Sequence, residues 1–264
     1  MRKYKVGLAL SGGSVKGLAH LGAITAFEEN DIEINVMSGV SAGSLIAALY
    51  ADGNSVEQIL AFFKKAKFFD MVDFNFNIFK GKGGGLTAVR PFKEKLKNMM
   101  RSRTFEDLNI PIVVSATDLI EGHTAYFSSG ELIEPLIASS SVPLLFNPVK
   151  IDGKLYIDGG IMSNIAATVL REDCEHLVGI HVNPICHQEV TTGIASVSNR
   201  VFDLVINGSS TESEKAVCDM IINTEKACKY GMFGTDKADE IYKIGYEAAM
   251  EMLLNQGWAS KLKC

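Results

Sequence analysis

The sequence predicts an α/β fold with a mainly parallel central sheet, in one domain that spans residues 1–264. Strand-like and helix-like stretches alternate through the first half of the chain, as they do when helical crossovers join parallel strands. No internal repeat and no Pro/Gly/Ser-rich linker divides the sequence. Hydrophobic residues make up 47% and charged residues 22% of the chain, which is the composition of a globular protein with a buried core.

Apolar periodicity predicts the individual elements in order. Short apolar runs bounded by glycine or polar residues predict strands over 5–10, 34–40, 110–119 and 123–129. Apolar residues spaced three and four apart predict helices over 17–30, 44–53, 55–67 and 87–100. In the second half, Asp152-Gly153 between two short alternating stretches predicts a β-hairpin over 149–158. A last strand is expected over 175–183, and the motif-free remainder, 190–264, is expected to be mostly helical, with helices over 194–227 and 235–256.

Charge and hydropathy exclude two classes of protein. The net charge of −5 provides no basic surface for nucleic acid, so no nucleic-acid partner is expected. No apolar run approaches the ~20 residues that span a bilayer. The apolar stretch VGLAL near the N-terminus is shorter than the roughly 7–15 residues of a signal-peptide core. These observations predict a cytoplasmic protein.

The cysteine pattern predicts neither a disulfide framework nor a zinc site. The five cysteines are an odd number and include no C-x-x-C pair. We therefore expect reduced, mostly structural thiols.

The stretch GVSAG, residues 39–43, is the first candidate for chemistry. It lies between a predicted buried strand and a predicted helix, where a G-x-S-x-G can form a nucleophile elbow with Ser41 at the turn. Gly39 and Gly43 remove side chains that would crowd this turn, and the positive end of the following helix would favour an anion beside Ser41. In the alternative interpretation, Ser41 is only the N-cap of that helix.

A second glycine-rich turn, SGGSVKG over 11–17, follows the first predicted strand. It does not fit the dinucleotide fingerprint G-x-G-x-x-G, because Ser14 occupies the middle glycine position between Gly12 and Gly17. It does not fit a P-loop either, because Leu18 and Ala19 follow Gly17 in place of Lys and Ser/Thr. The turn therefore matches neither nucleotide-binding template.

An oxyanion hole remains as a function for this turn. The backbone N–H groups of Gly12, Gly13 and Ser14 are candidate donors to a developing negative charge. Alternatively the glycines serve only a tight turn. Lys16 could support the loop electrostatically or could be an ordinary solvated lysine, and the residues leave both interpretations open.

Ser41 needs a base, and histidines are the usual candidates. His20 falls inside the first predicted helix, which favours a structural role. His176, His181 and His187 follow Asp158 in the chain, so a Ser–Asp–His order of the α/β-hydrolase kind is possible. None of these histidines has a local signature.

Asp158 is a candidate base that needs no histidine. It ends a predicted strand and precedes Gly159-Gly160, so its carboxylate is expected to be exposed at a sheet edge. A carboxylate can take the serine proton directly if burial raises its pKa toward neutral pH. Asp152 is a weaker candidate, because the hairpin turn already explains it. Asp158-Gly159 could itself be only a turn.

Four motifs together resemble the patatin-like phospholipases. They are LALSGGSVKGLAHLG (8–22), GVSAG (39–43), ASSSVP (138–143) and DGG (158–160). The resemblance covers roughly residues 5–165 and implies a three-layer α/β/α fold and a serine acyl hydrolase with a Ser–Asp dyad.

The resemblance also assigns roles to individual residues. Ser41 becomes the nucleophile, Asp158 the base and the Gly12–Gly17 loop the oxyanion hole, with Lys16, Gly17, Gly39, Gly43, Gly159 and Gly160 in support. ASSSVP is expected to be a packing element near the site. No metal and no other cofactor is implied. At Ser14 the chain departs from the family, whose loop usually has a third glycine; a positive φ there would strain serine by about 1 kcal/mol.

The stretch 61–82 contains seven of the 14 phenylalanines and has five lysines against two aspartates. This composition suits a lipid surface or a cap over an acyl chain, and predicts peripheral membrane contact. Alternatively, Phe62 and Phe63 pack inward and the others fill a loop.

The expected function is hydrolysis of lipid esters through Ser41 and Asp158, by way of an acyl-enzyme. Two alternatives remain: a Ser–His–Asp esterase that uses His181 or His187, and a catalytically silent lipid-binding or interaction protein on the same fold. The sequence predicts no oligomeric state.

Overall fold

The structure is a computed structural model that describes residues 2–65, 73–74, 87–88, 90–143, 145–187, 190–231 and 235–263. The strands are β1 (Tyr4–Leu10), β2 (Val36–Val40), β3 (Asp73–Phe74), β4 (Thr87–Ala88), β5 (Ile112–Asp118), β6 (His123–Phe127), β7 (Val149–Ile151), β8 (Lys154–Asp158), β9 (Cys174–His181) and β10 (Met220–Asn223). The α-helices are α1 (Leu18–Glu29), α2 (Ala42–Ala51), α3 (Val56–Lys65), α4 (Arg90–Met99), α5 (Ile133–Ser139), α6 (Thr168–Arg171), α7 (Ile194–Ile206), α8 (Ser209–Ala216), α9 (Ala238–Met250) and α10 (Trp258–Lys263).

Eight strands form one mixed sheet in the order β10-β9-β1-β2-β5-β8-β7, with β6 also paired to β5. The five strands from β10 to β5 run parallel to one another, whereas β6, β7 and β8 are joined by antiparallel pairings. The prediction of an α/β fold with a mainly parallel sheet is therefore confirmed. Strands β3 and β4 form a separate antiparallel pair.

Strands β2 and β8 lie end to end along the same edge of β5. The last residue of β2, Val40, pairs with Ser115, and the last residue of β8, Asp158, pairs with Ala116. Strand β6 pairs with the opposite edge of β5, and this pairing includes Ser115 and Ala116. Because β2 is parallel and β8 antiparallel to β5, the carboxyl ends of β2 and β8 face each other at the middle of β5.

The core lies in two layers, one on each face of the sheet. Alternate residues of β1 point to opposite faces, so Leu8 and Leu10 belong to the larger apolar cluster and Ala9 to a smaller one. The larger cluster contains α1, which is buried between the sheet and α9, together with α2 and part of α3. The smaller cluster includes residues of α6 and of the segment before β10. This arrangement confirms the three-layer α/β/α fold.

The second half of the chain departs from the prediction in several elements. The segment 194–227, expected to be helical, contains α7, α8 and then β10, so 175–183 does not hold the last strand. The chain breaks at Gly208 between α7 and α8, and the apolar run MIIN pairs with β9 instead of extending a helix. Helices α5, α6 and α10 were not predicted from the periodicity, and residues 87–88 form β4 rather than a helical turn.

A disulfide joins Cys186 to Cys228, with their Cα atoms 6.1 Å apart. The expectation of reduced thiols is wrong for this pair, because a contact across 42 residues leaves no local signature. Cys174 is buried and free, and Cys218 is half-buried and free.

The aromatic stretch 61–82 is described only in part. Phe62 and Phe63 are half-buried at the end of α3, where their rings pack edge to face with centroids 5.2 Å apart against the main core. The side chains of the other five phenylalanines lie outside the described residues, and so does most of the stretch expected to meet a membrane. In the described part of the chain, no helix has the length and hydropathy to span a bilayer.

Candidate active site

Ser41 stands at a sharp turn between β2 and α2. Its backbone has φ 52° and ψ −121°, a conformation that costs a non-glycine residue of order 1–3 kcal/mol. Neighbouring glycines allow the turn: a Cβ at Gly39 would lie 2.5 Å from the backbone nitrogen of Ser44, and one at Gly43 2.6 Å from the carbonyl oxygen of Ser11. This is the strained strand-to-helix geometry of a nucleophile elbow, and it is not the extended backbone of an ordinary N-cap.

The strained backbone of Ser41 is held by two other serines. Its N–H donates to the Ser139 hydroxyl at 2.8 Å, and its carbonyl oxygen accepts from the Ser44 hydroxyl at 2.7 Å. Ser139 and Ser44 are fully buried. Ser139 belongs to the ASSSVP motif, which therefore makes a direct hydrogen bond to the serine and is more than a packing element.

Asp158 ends β8 and is held by its own neighbours. Its Oδ1 accepts the Gly160 N–H at 2.8 Å, its N–H donates to the Ser141 carbonyl at 3.0 Å, and its carbonyl accepts the Thr117 hydroxyl at 2.9 Å. The side chain was expected to be exposed at a sheet edge, but the residue is only 2% exposed. The expectation is wrong because β8 does not end at an open edge: it runs into the carboxyl end of β2 along β5.

Burial raises the pKa of Asp158 to about 6, while the Ser41 hydroxyl and the Gly160 N–H act to lower it. Its Oδ2 is buried and has no hydrogen-bond partner among the described residues. The Ser41 hydroxyl lies close enough to this carboxylate to lower its pKa. The arrangement offers a serine proton a nearby acceptor that is ionised at neutral pH and is not strongly acidic.

The glycine-rich turn lies beside Ser41. A Cβ at Gly12 would lie 3.2 Å from the Ser41 Cβ. The Gly12 N–H, however, donates to the Asn164 carbonyl at 3.0 Å, and the Asn164 side chain returns a bond of 3.2 Å to the Gly12 carbonyl. Gly12, one of the three predicted oxyanion donors, is therefore engaged in holding the loop. Ser14 has φ 52°, so the positive φ that would strain a serine is present.

Lys16 is not a solvated lysine. It is 7% exposed, its Nζ donates to the Asn183 Oδ1 at 2.5 Å, and burial lowers its pKa against an opposing effect of Asp203. Gly17 beside it allows the close approach of α2, because a Cβ there would lie 2.6 Å from the Ala42 Cβ. The two residues fix the glycine-rich turn against α2 and the segment that follows β9.

The histidines occupy other environments. His20 is fully buried, with Nε2 2.8 Å from the Ser11 carbonyl, and burial lowers its pKa to about 4. His181 has Nδ1 3.3 Å from the Asn223 Oδ1, and burial lowers its pKa to about 4 as well. His187 lines a cleft next to Lys16. Among the residues that the structure describes, no hydrogen bond joins His181 or His187 to Ser41 or Asp158.

Metal ligation finds no support in the described ranges, which contain no group of three His, Cys, Asp or Glu side chains placed to hold an ion.

The glycines of the DGG motif serve close packing: a Cβ at Gly159 would lie 2.5 Å from the Ser115 carbonyl, and one at Gly160 3.1 Å from the Asp158 Oδ1. The residues predicted for the site are thus gathered at one place, where β1, β2 and β8 end.

Comparison with known proteins identifies the family. The model of the patatin-like phospholipase family matches residues 8–171, which is more than half of the chain. The chain belongs to this family. Fungal members resemble it over most of its length: lysophospholipase nte1 of Aspergillus fumigatus is 26% identical over 287 residues, and lysophospholipase NTE1 of Mycosarcoma maydis is 25% identical over 292. These alignments cover 94% and 98% of this chain but only 18% and 15% of the two fungal proteins.

Two solved structures share the patatin-like fold. VipD from Legionella pneumophila matches with a TM-score of 0.54 at 18% identity, over 95% of this chain and 67% of that one. ExoU from the type III secretion system of Pseudomonas aeruginosa, in complex with SpcU, matches with a TM-score of 0.50 at 14% identity, over 97% of this chain and 53% of that one. Identities this low support the fold and no finer likeness.

Two residues of the patatin-like site had no assigned role in the sequence. Asn164 clamps the glycine-rich turn from a segment that matches no motif, and no sequence signal points to it. Ser139 lies inside ASSSVP, so the motif marked its neighbourhood without indicating its bond to the Ser41 N–H.

Proposed function

We propose that this patatin-like chain hydrolyses carboxylic esters of lipids through a dyad of Ser41 and Asp158. The observation that carries the proposal is the buried carboxyl group beside the elbow serine, with a pKa raised to about 6 and Oδ2 left without a partner in the described part of the chain. A base with this pKa is largely ionised at neutral pH and can still hold a proton during the reaction.

In the acylation step, the Ser41 Oγ attacks the ester carbonyl carbon while its proton passes to the Asp158 carboxylate. The carbonyl oxygen becomes an oxyanion, to which N–H groups of the glycine-rich turn over 11–17 donate. The tetrahedral intermediate then expels the alcohol, which takes the proton from Asp158 as the C–O bond breaks. The products are the free alcohol and an acyl ester on Ser41.

In the deacylation step, water attacks the acyl-enzyme. Asp158 accepts one proton from this water as the new C–O bond forms, and the same oxyanion donors act on the second tetrahedral intermediate. Collapse of this intermediate releases the fatty acid and returns the proton to the Ser41 Oγ. No histidine takes part.

A lysophospholipid is the substrate class that we propose to test first. The fungal relatives are named lysophospholipases, and this chain spans less than a fifth of their length. The assay covers diacyl and monoacyl phospholipids.

Two alternatives remain testable. A Ser–His–Asp esterase would require His181 or His187 to reach Ser41. A catalytically silent lipid-binding protein is favoured by the engagement of the Gly12 N–H with Asn164 and by the positive φ of Ser14, both of which limit the oxyanion loop.

A fluorophosphonate probe, which phosphonylates activated serines with loss of fluoride, tests the nucleophile. We expect labelling of the wild type and none of Ser41→Ala. If the wild type is not labelled and releases no fatty acid, the silent alternative is correct.

The same assay separates the bases. Asp158→Asn should slow labelling and ester hydrolysis by about 10²- to 10⁴-fold, the usual contribution of a general base. His181→Ala and His187→Ala should retain activity. Loss of activity in either histidine variant, with Asp158→Asn still active, would contradict the dyad.

A further inference from the structure

Helix α7 presents an apolar face to solvent. Val197, Val201, Leu204 and Val205 are 43%, 52%, 46% and 45% exposed. Their spacing of four, seven and eight residues from Val197 puts them on one side of the helix. A helix at the surface of a globular protein normally turns such a stripe toward the core, so the exposed stripe on α7 requires a partner.

The opposite side of α7 is joined to the candidate active site. Ile206 is buried, and its Cγ2 lies 3.3 Å from the position of a Cβ at Gly160. Asp203 accepts a bond of 3.4 Å from the Asn183 side chain, and Asn183 holds Lys16 beside the glycine-rich turn. The helix therefore contacts the segment that follows Asp158, and Asn183 links it to the glycine-rich turn.

The surroundings of the stripe indicate the chemistry of its partner. A cleft of about 480 Å³ adjoins α7. Apart from the buried Lys16, its lining has three cationic residues against two acidic ones: Arg200, Lys226 and Lys229 against Asp203 and Glu225. The chain as a whole has a net charge of −5, so this cationic excess is local. Ile185, 50% exposed, extends the apolar surface at the rim of the same cleft.

We propose that α7 is an interfacial helix whose exposed stripe docks on an anionic lipid surface. Valine and leucine side chains would enter the boundary between headgroups and acyl chains, while the adjoining cations face the anionic headgroups. Docking in this orientation brings the helix that contacts the Asp158 segment to the surface that supplies lipid esters. The inference rests on the proposed function for its biological purpose, but binding to lipid does not require turnover.

Binding is measured with Ser41→Ala protein, so that hydrolysis does not alter the vesicles. We expect it to co-sediment with phosphatidylcholine vesicles that contain phosphatidylglycerol, and less with phosphatidylcholine alone. Adding Val201→Ser and Leu204→Ser should weaken binding by on the order of tenfold or more, because two apolar side chains no longer leave water. The pair Val197→Ser and Val205→Ser should have the same effect.

Matched controls use exposed apolar residues on other elements. Leu254→Ser and Ile120→Ser replace side chains that are 55% and 66% exposed, and both should bind vesicles like the parent protein. Thermal unfolding midpoints show whether each variant is folded. Unchanged binding by both α7 pairs would overturn the proposal. So would a dimer in light scattering that the α7 pairs convert to monomer, because the stripe would then be covered by a second copy of the chain.

Discussion

Replacing Asp158 with asparagine should stabilise the fold at neutral and basic pH. The substitution keeps the shape of the side chain and an oxygen for the Gly160 N–H, but it removes a charge that burial disfavours. Burial holds the pKa at about 6, compared with 3.8 for an ordinary aspartate. That difference corresponds to an unfolding free energy about 3 kcal/mol lower when Asp158 is ionised than when it is protonated.

The sign follows from the direction of the pKa change. A carboxyl group whose pKa is raised on folding contributes stability that is fully present below about pH 3.8, where the group is protonated in both states. This stability is lost as the pH rises through about 6. Asp158→Asn should therefore match the wild type near pH 4 and exceed its unfolding free energy by about 3 kcal/mol at pH 8.

Urea unfolding at a series of pH values measures the effect. The difference between the two proteins isolates Asp158, because His20 and His181, whose pKa values are lowered, titrate in both. Asp118→Asn provides a control of opposite sign, because the backbone N–H groups of Glu121 and Ile120 lower the pKa of Asp118. This variant should be less stable than the wild type at neutral pH, and the difference should shrink in acid. A difference for Asp158→Asn that stays constant from pH 4 to 8 would refute a raised pKa and, with it, the proposed base.

Three further predictions concern the same site. The kcat/KM for a soluble ester should fall as the pH drops below about 6, with the slope of one proton, because Asp158 must be ionised to act; a profile flat to pH 5 would contradict this role. In urea unfolding, the unfolding free energy of Ser41→Gly should exceed that of Ser41→Ala by on the order of 1 kcal/mol. Glycine relieves the strain at φ 52°, and this outweighs the larger entropy that glycine gains on unfolding. Ser139→Ala should cost about 1–3 kcal/mol and slow fluorophosphonate labelling, because it leaves the buried Ser41 N–H unpaired. Ser140→Ala, in the same motif, removes a hydroxyl with no partner among the described residues and should be nearly neutral; equal losses in both variants would argue against the Ser139 bond.

Local patterns predicted the parts of the molecule that local forces determine. The GVSAG stretch requires small residues around a strained turn, and glycines at 39 and 43 meet the backbone as expected. Asp152-Gly153 formed the predicted hairpin turn, with φ values of 48° and 86°. Such features depend on a few consecutive residues, so the sequence carries their signal directly.

Features that depend on distant parts of the chain were not predictable in the same way. Asn164 reaches Gly12 across 152 residues, and its asparagine type alone indicates nothing about that contact. The burial of Asp158 depends on the register of two strands against β5, which no periodicity records. Strand β10 was missed because four residues are too few to establish a period, and the disulfide because its cysteines meet only after the surrounding segments have packed.

The meeting of β2 and β8 along one edge of β5 also bears on how the candidate site forms during folding. Ser41 directly follows β2 and Asp158 ends β8. These two strands do not pair with each other, so the approach of the two residues is fixed only when both strands have docked on β5 in the correct register. Pairings of this sequence separation form slowly compared with local helices. If the proposed dyad is correct, refolding protein should regain its helical circular dichroism before it regains reactivity toward a fluorophosphonate, because β5 is the strand on which both members of the dyad are positioned.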